Sequence, residues 1–109
     1  MARYGLATVR GRSMLPTLHD GDRLLIRYGA VPRPGDLVVV RLPADASGAA
    51  RPLAVKRAVR EEASGWWVER DSPTEGVDSW TVGAVAHRDV VAVVTARLWP
   101  QRRRRRVPD

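Results

Sequence analysis

Residues 20–42 read DGDRLLIRYGAVPRPGDLVVVRL, and the fold turns on this stretch. Its two apolar runs, 23–28 and 36–42, do not repeat at helical spacing. Each is rich in Leu, Ile or Val and is entered through turn chemistry, Asp20-Gly21-Asp22 in one case and Pro32-Arg33-Pro34-Gly35 in the other. Short branched runs bounded by Gly, Pro and Asp read as strands. Working outward, the same pattern predicts strands at 4–9, 53–59, 66–70, 81–85 and 90–98, seven in all. Helical turns fit only at 16–19 and 87–89, and the small residues of 44–52 read as a mobile loop. The expected fold is mostly β: a single small barrel-like domain with at most short helical turns. Residues 1–101 are expected to form that domain, and 102–109 a basic disordered tail.

A chain of 109 residues holds one such domain. It has no cysteine, which excludes a disulfide scaffold, a thiolate metal site and a cysteine nucleophile. Its two histidines, His19 and His87, read as surface residues. The net charge is +7, but five arginines form one block at 102–106. Without that block 14 basic residues face 12 acidic ones, so the body is nearly balanced. Eighteen of the 19 basic residues are arginine, and the single lysine is Lys56. No apolar run approaches the roughly 20 residues that a spanning helix needs. Residues 1–5 carry no apolar core of an export signal, so the reading expects a cytoplasmic chain without a transmembrane segment.

Alternation along 53–59 puts Ala54, Lys56 and Ala58 on one face and Leu53, Val55, Arg57 and Val59 on the other. Lys56 is thus an ammonium between two methyl groups. Apolar surroundings disfavour the charged form of lysine and lower its pKa, so the amine can serve as a base. Arginine keeps its proton at any working pH. Taken alone, the strand favours the plainer alternative, a lysine whose head snorkels to water. Ser13 lies between a strand end and the Met14-Leu15-Pro16-Thr17 turn, where free backbone N–H groups could serve an oxyanion. It reads equally as a helix N-cap.

The two positions belong to an ordered set. Residues 13–22 read SMLPTLHDGD, followed by Pro34-Gly35-Asp36 with a Leu-Val-Val-Val run, then Val55-Lys56-Arg57-Ala58-Val59, then Asp71, Asp78-Ser79 and Gly83. This series resembles the boxes of the serine–lysine signal-peptidase superfamily, which includes signal peptidases and LexA-like autoproteases. The resemblance spans about residues 9–85. It implies Ser13 as nucleophile and Lys56 as general base, with Gly11, Ser13, Met14 and Pro16 in the nucleophile and oxyanion box. It implies that Asp71, Asp78 and Ser79 support the lysine strand and the site wall. No metal or cofactor is implied. Three departures stand out: Arg70 replaces a family Gly, Ser72 an Asn and Trp80 an arginine, so the family's ion pair to Asp78 cannot form. Gly11 replaces a serine whose hydroxyl often joins the oxyanion hole, and Gly76 stands where a serine often lies beside the lysine.

Within the superfamily the chain is most similar to the soluble maturation proteases of nickel-type superoxide dismutase. That likeness rests on Leu24-Leu25-Ile26-Arg27-Tyr28-Gly29, Pro34-Gly35-Asp36, Gly65-Trp66-Trp67-Val68 and the basic end after Trp99-Pro100. It implies a protein substrate, the N-terminal propeptide of a superoxide dismutase precursor, whose removal exposes the metal-binding N-terminus. A type I signal peptidase-like enzyme acting on exported precursors is the nearest alternative. The rival from another class is a non-catalytic basic β domain that binds nucleic acid or anionic membrane through 102–106. The balanced body, the absence of Phe and the two tyrosines argue against a nucleic-acid partner. The four tryptophans read as core or wall residues, with one of Trp66 and Trp67 expected to line a substrate groove.

Overall fold

The computed structural model describes residues 2–100. Six strands form one antiparallel sheet: β1 (Arg3–Thr8), β2 (Arg23–Tyr28), β3 (Leu37–Val40), β4 (Ala54–Glu62), β5 (Gly65–Glu69) and β6 (Val90–Trp99). Their order across the sheet is β1-β2-β6-β3-β4-β5. The domain is mostly β, as expected, but the sheet is open. β1 and β5 are its two edges and do not pair with each other, so the barrel does not close by hydrogen bonds.

The short runs form strands because alternate residues can be buried on opposite faces. Leu24 and Ile26 are buried on β2. On β3, Val38, Val39 and Val40 are buried in succession, so both faces of this central strand are covered. Two clusters result. One gathers Val9, Met14, Leu18, Leu24, Ile26, Val39 and Ala92. The other gathers Val38, Val40, Leu42, Ala58, Trp66, Val68 and Val85. A register shift between Ala58 and Arg60 kinks β4 where it pairs with β5.

The sixth expected strand, 81–85, is a misreading. Residues Ser79–Val82 form a single helical turn, α1, and only Val85 meets the sheet, through an isolated bridge to Trp66. Asp78 caps α1 by accepting the Trp80 N–H, and the buried Ser79 hydroxyl accepts the Val68 N–H at 2.9 Å. These polar anchors outweigh the strand composition of the residues that follow. The turn at His87–Asp89 is a 3-10 helix, as expected. The other expected turn is shifted: Leu18 N–H donates to Met14 O at 2.9 Å, so the helical bond starts at Met14. The loop at 44–52 is tied to Asp45, whose Oδ1 accepts N–H groups of Ser47 and Ala49 and the Ser47 hydroxyl. The expected tail, 102–109, lies outside the described residues.

Candidate active site

The segment between β1 and β2 is a loop closed at its base. Val9 N–H donates to Asp22 O and Gly21 N–H to Val9 O, both at 2.8 Å. Inside it, Met14 and Leu18 are driven into the first apolar cluster, at 1% and 3% exposure. Burial of Met14 fixes the backbone beside Ser13 and leaves Ser13 half-buried at the surface. Gly11 adopts a φ of +82°, and its N–H donates to Asp20 Oδ1 at 2.8 Å. Pro16 is exposed and follows a cis peptide bond. The Ser13 N–H has no protein acceptor among the described residues.

Lys56 reaches the loop from β4. The face predicted for it is the face observed: Lys56 and Ala58 are buried, and Lys56 pairs across the sheet with the fully buried Val38. The side chain is 2% exposed, and its Nζ donates to Ser13 Oγ at 2.8 Å. Snorkelling is therefore overturned; the amine ends on the serine. Burial lowers the Lys56 pKa, because charging an amine is costly away from water. The Asp78 carboxylate opposes that shift, and the positive charge of Arg70 adds to it.

The three expected support residues take separate places. Asp71 accepts the Thr17 hydroxyl at 2.5 Å and Arg57 Nη2 at 2.6 Å. It thereby ties the Ser13 loop to the residue after Lys56. Burial pushes the Asp71 pKa up, but the bonds from Arg57 and Thr17 and the Arg57 charge prevail and leave it below the usual value. Asp78 accepts the N–H groups of Arg70 and Trp80, both at 3.0 Å, and no described cation pairs with it by contact. Ser79 anchors α1 to β5 as described above.

Beside Ser13 and Lys56 runs a groove of about 310 Å³, walled by Thr8, Gly11, Met14, Leu42 and Leu53 among others. The expectation that Trp66 or Trp67 lines it fails. Trp66 is a core residue, and Trp67 packs edge-on against Trp80 on the other face, with ring centroids 5.2 Å apart. Trp80 and Trp99 are exposed, at 75% and 61%, and are neither core nor wall. His19 and His87 are exposed, as expected. No group of three or more potential metal ligands among the described residues could hold an ion.

Three contributors were missed from the sequence. Asp22 is 2% exposed and accepts His19 N–H and Arg97, which holds the Ser13 loop to β6. Thr17 and Arg57 complete the Asp71 bridge. Arg57 and Asp22 were in the quoted motifs, and their charged side chains beside buried positions were the available signal.

A serine hydroxyl held against a buried amine at the rim of a β sheet is an arrangement suited to acyl transfer. Residues 2–74 match the Peptidase S24-like family, which is about two thirds of the chain. The chain belongs to that family, whose members are typically serine peptidases of the LexA and signal-peptidase type. A search of curated proteins finds no match.

Proposed function

We propose that this chain is a serine endopeptidase in which Ser13 is the nucleophile and Lys56 the general base. The observation that carries the reading is the 2.8 Å contact between Lys56 Nζ and Ser13 Oγ, made by a buried lysine at the wall of the groove. Neutral Lys56 accepts the hydroxyl proton as Ser13 Oγ attacks the scissile carbonyl carbon. The oxyanion that forms is served by the free Ser13 N–H. Collapse breaks the C–N bond, and the Lys56 ammonium returns its proton to the leaving amine. Water, deprotonated by the same amine, then hydrolyses the ester and frees Ser13. Arg51 and Leu53 flank the groove that would seat the substrate. The catalytic unit in this reading is 1–101.

For the substrate, we favour the N-terminal propeptide of a nickel superoxide dismutase precursor. Support comes from the sequence likeness at 24–29, on β2 and the turn after it, and at 65–68, on β5. No described helix is long and apolar enough to cross a membrane. Co-expression with such a precursor, followed by mass spectrometry of its N-terminus, tests both parts. Loss of the propeptide with the wild-type chain, and its retention with Ser13→Ala and Lys56→Arg, is expected. Lys56→Arg keeps the charge but cannot become a base. Processing at the wild-type rate by either variant would refute the dyad. Cleavage of exported precursors in place of this one would favour the signal-peptidase alternative.

A further inference from the structure

Arg70 and residues 72–76 lie behind Ser13, and acyl transfer by Ser13 and Lys56 uses none of them directly. Arg70 follows β5 and turns its side chain onto the loop that comes after it. Its Nε donates to Ser72 O at 2.8 Å, its Nη1 to Gly76 O at 3.0 Å and its Nη2 to Pro73 O at 3.3 Å. One guanidinium therefore gathers three carbonyls from a single loop. The Ser72 hydroxyl tightens that loop by accepting the N–H groups of Glu75 and Thr74, at 3.1 and 3.3 Å.

The loop is joined to the nucleophile twice. Ser72 N–H donates to Ser13 O at 2.9 Å. Gly76 packs so closely on Ser13 that a Cβ there would overlap the Ser13 Cβ. Its φ of +113° is also one that side-chain-bearing residues rarely adopt. The near end of the loop is held by Asp78, which accepts the Arg70 N–H at 3.0 Å.

We infer that Arg70 is a positioning residue for the Ser13–Lys56 pair: it sets the 72–76 loop as a backstop that keeps the Ser13 hydroxyl against Lys56 Nζ. This rests on the reading of those two residues as the reacting groups. The planar fork of five donors is what the task requires, since a lysine in its place could not span three carbonyls in fixed directions. The charge has a second effect, because it disfavours the ammonium form of Lys56. Asp78 is the charged group that acts the other way, and Val38, opposite on β3, is apolar.

The test uses Arg70→Met, Arg70→Lys and Gly76→Ala in the full chain, with Ser13→Ala as control. The probe is a peptide that spans the propeptide junction of a nickel superoxide dismutase precursor. Arg70→Met should lower kcat by about 10- to 100-fold, as expected for a misplaced reacting group. KM should change by less than about threefold. The acid limb of its pH–rate profile should move to higher pH. Arg70→Lys should lose kcat but keep the wild-type acid limb, because the charge remains. Gly76→Ala should do the same. Because Lys56 is the only lysine, its isotope-labelled Cε signal also reports its titration without any substrate, and the midpoint should rise in Arg70→Met. Wild-type kcat in an Arg70→Met protein that melts normally would overturn the inference. If that variant does not fold, wild-type kcat in Arg70→Lys would overturn it instead. If Ser13→Ala still cleaves the peptide, the dyad reading fails by itself. An unmoved Lys56 midpoint in Arg70→Met would then be the result that overturns the role of Arg70.

Discussion

At the scale of the residue, Lys56 carries a conflict that the fold does not remove. Its cross-strand partner Val38 and its same-face neighbour Ala58 belong to the second apolar cluster, and the only described hydrogen bond of its side chain is to a neutral hydroxyl. The unfolded chain holds the proton up to about pH 10.4, whereas the folded chain gives it up earlier. Between those two points the unfolded state binds more protons, so stability rises with pH. Below the folded pKa the full cost of a buried charge remains. Lys56→Met keeps the apolar stem and removes the charge. It should be more stable than the wild type at pH 6, by about 1.4 kcal/mol for each pH unit of depression. The gap should shrink as the pH approaches that of free lysine. Urea midpoints at several pH values check this, and equal midpoints throughout would mean that burial exacts no cost.

Elements are fastened to one another by a few polar bridges, and Asp71 makes the one that matters most to the site. It joins the Ser13 loop, through Thr17, to β4, through Arg57. Because its pKa is depressed, its contribution is present above the unfolded value near ~3.9 and is lost as the pH falls through the folded value. Asp71→Asn should cost about 1 kcal/mol at pH 7, since Arg57 is partly solvated and the bridge is discounted accordingly. The two proteins should converge in stability as the pH falls through the folded value and the wild-type carboxyl is protonated. A difference that persists undiminished in acid would assign the effect to packing.

The same scale shows what was legible in the sequence. Strands β2 and β3 were visible because each run sits between its own turn signals. The face of Lys56 followed from simple alternation. α1 was hidden: four residues cannot display a helical period, and Thr81 to Val85 has strand composition. Its identity depends on Asp78, which caps it and holds the Arg70 N–H just past β5, and on Ser79, whose partner Val68 lies on β5. Arg70 was hidden for a different reason. It stood out only as a departure from the family pattern, and among 18 arginines nothing local marks one that turns inward onto its own loop.

For the whole molecule, the central question is how residues 43 positions apart in sequence come to share a hydrogen bond. The β1–β2 loop is anchored by Met14 and Leu18 in one cluster, while β4 is anchored by Ala58 in the other. The sheet between them fixes the distance. Open edges at β1 and β5 were not legible, because closure depends on a pairing between the two strands farthest apart in the sheet order. The motif resemblance supplied the match of Ser13 to Lys56, which spacing alone could not. The measurement that tests the account most directly compares two midpoints in the wild-type protein. One is the acid limb of kcat/KM for precursor cleavage. The other is the titration of the labelled Lys56 side chain, which gives a single lysine signal. The two midpoints should coincide, below the pKa of free lysine. A cleavage rate that is flat across the Lys56 titration, or a lysine that stays charged throughout the active range, would contradict it.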